Sequence, residues 1–182
     1  MMIINYKQNA NINAGDNMKL ALKFFALLVL GLLTVLIIYP FLHESGHSLA
    51  VLLLGGRVER FNILPVPYIL CQMNEYNKID FLIVGFSGML LPYIISFFVQ
   101  KSNFWLCYLK IALRFVCLIS FVLGVVSAYL YKKGSVMRND DVTTILQNSP
   151  EYLIFCFVLL ILLSIVTIAL FLKDISRLKK LV

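Results

Sequence analysis

Both histidines of this 182-residue chain lie four residues apart, in His43-Glu44-Ser45-Gly46-His47. This is the pattern H-E-x-x-H. On a helix, residues i and i+4 share one face, so the two imidazoles point the same way. Two such nitrogens can meet one Zn²⁺ at about 2.0–2.1 Å each. Glu44 lies beside that face, where it can take a proton from water activated by the metal. Zinc keeps an open position for water when three protein ligands hold it, so a third ligand is required. With no other histidine in the chain, it must be Asp, Glu or Cys. Three aspartates are the candidates: Asp80 and the adjacent Asp140 and Asp141. The stretch NDDVTTIL, 139–146, fits best. It precedes an apolar run, and Val142, Ile145 and Leu146 follow at helical spacing. Asn139, Asp140 and Asp141 are also good helix N-caps, so one aspartate can cap while the other binds metal.

These residues sit in apolar surroundings. The chain is 61% hydrophobic and 14% charged, with mean hydropathy +0.91. Ordinary soluble domains carry about a quarter charged residues, and a soluble domain of this size has too little interior for so much apolar surface. The composition predicts an all-α polytopic membrane protein in a lipid bilayer, multi-pass, with the cell (plasma) membrane as its expected location. Ionisable residues at bilayer depth cost about 2.5–3.5 kcal/mol each on insertion scales and mark function. Three of them in five residues call for a metal site rather than helix packing.

A span needs about 20 apolar residues, and four regions qualify. The first, Leu20 to Leu54, is too long for one straight span. Pro40 inside it predicts a kink, or an interfacial turn followed by a span, and Gly55-Gly56 end it. Residues 57–78 contain Val58, Phe61, Ile63 and Val66, which are β-prone, and two prolines, Pro65 and Pro67. They predict a short extended segment or β-hairpin at the interface. The second span is Asp80 to Val99, where Gly85, Ser87 and Gly88 form a small-residue patch for close helix contact. The third is Phe104 to Tyr131. Its Lys110 and Arg114 either snorkel or belong to an interfacial stretch that precedes the span. The fourth is Tyr152 to Leu172. Accordingly, 1–18 is expected as a polar tail, 19–172 as the intramembrane domain and 173–182 as a basic C-terminal tail.

The net charge of +7 does not indicate nucleic-acid binding, because the basic residues are dispersed at the ends of apolar runs, where they anchor helices against headgroups. Eight Lys or Arg on the side of the termini against six on the other is too small a bias to assign an orientation. Cys71, Cys107, Cys117 and Cys156 show no metal-ligand spacing and read as small hydrophobes.

With these residues in place, the chain resembles the site-2 protease family of intramembrane zinc metalloproteases, in its small, domain-poor branch. His43, Glu44 and His47 match the family's zinc-binding and catalytic motif. Ser48-Leu49-Ala50 and Gly55-Gly56-Arg57-Val58 look like its continuation. The 57–78 segment sits where the family has a membrane-associated β-hairpin, and VGFSGMLLPY looks like its glycine-containing core helix. NDDVTTIL looks like the segment with the third ligand, an aspartate followed four residues later by Ile or Leu. That spacing points to Asp141 with Ile145, and Asp140 stays open as the alternative. The chain lacks the family's Asn-Pro-x-Pro-x-x-Asp-Gly run and has Pro92 where an asparagine is usual. The resemblance implies hydrolysis of a peptide bond within or beside a transmembrane segment of a substrate protein or peptide. Zinc would be held by His43, His47 and Asp141, with Glu44 as general base. Two other classes fit the composition: a catalytically silent zinc-binding scaffold or sensor, and a small transporter component.

Overall fold

The computed structural model of the chain describes residues 2–73, 77–100, 102–138 and 140–181, with side chains from residue 15 onward. The first apolar region is one continuous helical rod. Helix α1 (Met2–Leu33) takes in the polar stretch 2–18, passes through a single π-helical turn (Thr34–Ile38) and continues as α2 (Tyr39–Leu53). The π turn lies just ahead of Pro40. Proline brings no N–H to the carbonyl one turn earlier and its ring crowds that turn. The ladder accommodates this by widening, so Tyr39 N–H bonds Thr34 O, five residues back. Thr34 Oγ1 donates to Leu30 O at 2.7 Å and satisfies another carbonyl there.

Gly55, at φ +82°, ends α2 in the left-handed conformation that glycine adopts without strain. Strands β1 (Arg57–Asn62) and β2 (Tyr68–Gln72) then form the expected hairpin. It is antiparallel, with Arg57 opposite Gln72, Asn62 opposite Tyr68 and a bulge between Val58 and Arg60. The turn contains a cis Leu64–Pro65 bond. Gly56 roots the hairpin on α2: a Cβ there would lie 2.6 Å from Met73 Cγ and 2.8 Å from Val51 Cγ1.

Helices α3 (Lys78–Phe98), α4 (Phe104–Lys132), the short α5 (Asp141–Asn148) and α6 (Leu153–Leu178) follow, with a 3₁₀ turn at Pro150–Tyr152. Four helical segments are long and apolar enough to cross a membrane: Gly15–Leu53, Lys78–Phe98, Phe104–Lys132 and Pro150–Leu178. The protein is thus an all-α polytopic membrane protein with one small two-stranded sheet. Its large apolar side chains are widely exposed, Phe25 at 65%, Phe98 at 79% and Ile154 at 77%, as suits lipid rather than water. The interior is built where α4 meets α6, with α5 packed against α3 and α4. Phe86, Met89 and Tyr93 of α3 pack with Cys117 and Phe121 of α4, Val142, Ile145 and Leu146 of α5, and Cys156 and Leu160 of α6. The second close pairing is α2 on α3.

Helix α4 departs from both expectations for Lys110 and Arg114. It is unbroken from Phe104 to Lys132, and the two cations are buried, at 1% and 2% exposure. They turn inward because the bundle offers acceptors. Lys110 Nζ donates to Phe97 O at 3.3 Å and Val99 O at 3.1 Å, carbonyls left open at the end of α3. Arg114 donates to Ser96 Oγ (3.3 Å) and Leu170 O (3.4 Å), pairs with Asp174, and lies over the Phe97 ring at 4.9 Å. Asp174 is itself 1% exposed. The last span therefore runs past Leu172 to Leu178, carrying a carboxylate of the expected tail region into the bundle.

Candidate metal centre

His43 and His47 stand one turn apart on α2, their rings nearly perpendicular and 4.7 Å between centroids. The Nε2 atoms face each other at 3.1 Å. His47 Nδ1 lies 2.7 Å from Val84 O of α3. A carbonyl only accepts, so the ring proton of neutral His47 belongs on Nδ1 and Nε2 presents a lone pair. Ser87 Oγ donates to the same carbonyl at 2.5 Å and helps hold it in place. Asp141, the first residue of α5, meets both rings: Oδ2 is 3.0 Å from His43 Nε2 and Oδ1 is 3.3 Å from His47 Nε2.

The ligand atoms of His43, His47 and Asp141 all lie within 4.8 Å of one another, close enough to hold a metal ion. Their geometry fits a small tetrahedral ion. Bonds of about 2.0–2.1 Å imply ligand-to-ligand edges of about 3.3–3.4 Å; the two imidazole nitrogens lie 3.1 Å apart, and the carboxylate meets one ring through each of its oxygens, at 3.0 and 3.3 Å. The donor chemistry fits as well: two neutral imidazole nitrogens and one carboxylate. Burial by itself would push the Asp141 carboxyl up. Where the imidazoles are protonated, their hydrogen bonds and charges outweigh it and hold the group below the usual carboxylate range, so Asp141 is anionic opposite positive charge, the form a cation requires.

The adjacent aspartate does something else. Asp140 is the N-cap of α5, its Oδ2 accepting Thr143 N–H at 2.7 Å. Asn139, the neighbouring cap candidate, lies outside the described residues, as does Lys101. Asp80 completes a capping box at the start of α3, accepting Asn77 N–H at 2.8 Å, and is not part of the cluster. Glu44 is 8% exposed and lines the same cleft as His47 and Asp141 without joining the ligand set.

The small residues of α3 make the cluster possible. A Cβ on Gly88 would lie 2.3 Å from His47 Nε2, one on Gly85 2.6 Å from Ile145 Cδ1, and one on Gly46 2.2 Å from Ser87 O. So Gly46 and Gly88 let α2 approach α3 until His47 reaches Val84, and Gly85 seats the α5 residue one turn beyond Asp141. The sequence marks Gly85 and Gly88 as part of a packing patch but does not say which side chain each one admits. The Val84 carbonyl and the Tyr39 ring, 5.6 Å from that of His43, left no sequence signal, since any residue supplies a carbonyl and aromatics are common in spans.

Glu44, His47 and Asp141 line a cleft of ≈ 640 Å³. Tyr68, Ile69 and Cys71 of β2 form one wall, Phe81, Val84 and Gly85 of α3 another, and Asp140, Thr144 and Ile145 the α5 side. No protein-family model, curated protein or solved structure matches the chain.

Proposed function

We propose that this protein is an intramembrane zinc metalloprotease of the site-2 protease kind, cleaving a peptide bond within or next to a transmembrane segment of its substrate. The observation that carries this reading is the convergence of His43, His47 and Asp141 on one point, with Glu44 beside them in a cleft walled by the hairpin. Zinc suits two imidazoles and a carboxylate, and supplies Lewis acidity that brings water to a pKa of about 7. Glu44 accepts the proton of the attacking water and returns it to the leaving amine nitrogen. Val84 O keeps His47 in the ligating tautomer, and Asp141 supplies the negative charge.

An α-helix spends its backbone carbonyls on its own hydrogen bonds, so the substrate is held unwound where it is cut. The edge of β2 away from β1 offers it backbone hydrogen bonds as an added strand.

The test is Glu44→Gln, which keeps size and hydrogen bonding but cannot act as base. Cleavage of a membrane-protein substrate should fall at least about 10²-fold, with zinc content unchanged on the same preparation. Unchanged cleavage would remove the protease mechanism and leave a zinc-binding scaffold. A transporter reading draws less support from the charged residues, because Lys110, Arg114 and Asp174 spend their hydrogen bonds on neighbouring helices.

A further inference from the structure

The cleft has two chemically unlike sides. Glu44 and Asp141 give its floor polar groups, and no Lys or Arg lines it among the described residues. Opposite them the lining is apolar. Alternate residues of a strand share a face, and along β2 Ile69 and Cys71 are half-buried while Tyr68, Leu70 and Gln72 are exposed. Ile69 and Cys71 are thus the strand's inward pair, and Phe81 and Val84 of α3 border the same space. The wall is held in place, since Gly56 clamps the hairpin root against Met73 and Val51. Cys71 has the smallest side chain of the four, so its size governs how much room is left.

We propose that Ile69, Cys71, Phe81 and Val84 form a subsite for one medium-sized apolar side chain of the substrate, next to the bond that is cut, and that Cys71 sets its size. This rests on the reading of the triad as a metal centre. An extended substrate running along β2 presents alternate side chains to this face, so one residue beside the scissile bond is read by the subsite and its neighbours are not. In apolar pockets a single methylene is worth about 10- to 200-fold in discrimination.

The probes are N-acetyl-glycine hydroxamate and N-acetyl-leucine hydroxamate. Both carry the same metal-binding group, and only the second has a side chain for the subsite. Binding to the zinc-loaded full-length protein is measured by calorimetry. Wild type should prefer the leucine compound by at least about tenfold. Cys71→Trp should abolish that preference by weakening the leucine compound far more than the glycine compound. N-ethylmaleimide treatment of folded wild-type protein gives a second route that needs no refolding. Cys107, Cys117 and Cys156 are 0% exposed, so modification falls on Cys71 and should erase the preference in the same way. The leucine compound should also slow that modification more than the glycine compound does. If both compounds bind and the preference survives at Cys71→Trp and after alkylation, the subsite is wrong and the metal centre stands. If neither compound binds the wild type, the metal reading fails and takes the subsite with it.

Discussion

Two polar clusters sit in the apolar body of this protein, and they are built on opposite principles. Near the end of α3, Lys110 and Arg114 donate to the carbonyls of Phe97, Val99 and Leu170, to Ser96 and to Asp174. Donors meet acceptors, and the cluster is complete within the protein. Near the hairpin, His43, His47 and Asp141 turn acceptors toward one another. With both rings neutral, His47 spends its ring proton on Val84, so two nitrogens and a carboxylate about 3 Å apart share at most one proton between them. His43 Nδ1 is also buried without a hydrogen-bond partner among the described residues. Acceptors that converge without donors describe a place for a cation. Charge matched to charge describes a joint between helices.

Mutations can break that contrast. The largest effect is expected at the ligands: His43→Ala or His47→Ala should remove the roughly one zinc per chain while the thermal unfolding midpoint of the metal-free protein barely moves. Metal analysis and a melting curve on the same sample check this, and full zinc in the double variant would discard the site. Next comes Arg114→Ala, which leaves Asp174 unpaired at depth. It should destabilise the fold by about 3 kcal/mol, read from denaturant unfolding in detergent, without lowering zinc content in the folded fraction. Replacing Arg114 and Asp174 together by leucine should recover most of that loss. Zinc loss in folded Arg114→Ala would show that the clusters are not independent.

Gly88→Ala tests the seat of His47. Its new methyl group collides with the imidazole, and zinc affinity should fall about 10- to 100-fold, as for lost outer-shell support. Competition with a fluorescent chelator measures it. The smallest effect separates the two adjacent aspartates. Asp140→Ala should cost about 0.5–2 kcal/mol of stability as a lost cap and keep its zinc, whereas Asp141→Ala should weaken zinc and abolish cleavage. The reverse pattern would shift the ligand by one residue.

What could be read from the sequence follows the range of each interaction. The four spans are sums over neighbouring residues, and the structure has them. The hairpin, expected from β-prone residues between Gly55-Gly56 and the second span, is also local, and it forms. The histidine pair is legible because i and i+4 share a helix face wherever the helix lies. The choice between Asp140 and Asp141 is not, because adjacent helical residues point about 100° apart and the start of α5 decides which one faces the histidines. Arg114 was harder still: its partner Asp174 is 60 residues away, and a single window shows only a cation in an apolar run.

The π turn at Thr34–Ile38 sets a phase between two parts of one rod. A five-residue turn inserts one surplus residue into the ladder, which rotates everything beyond it by about 100° relative to an unbroken α-helix. The outward face of α1, with Phe24, Phe25 and Leu28, is therefore not in step with the face that carries His43 and His47. The two can be tuned separately, one to lipid and the other to Asp141. Removing one residue from 34–38 would restore ordinary winding and leave every side chain of the motif intact. It would also swing both imidazoles about 100° out of aim. The bearing of the histidines is thus set by a count of residues in a turn that belongs neither to the metal ligands nor to the lining of the cleft.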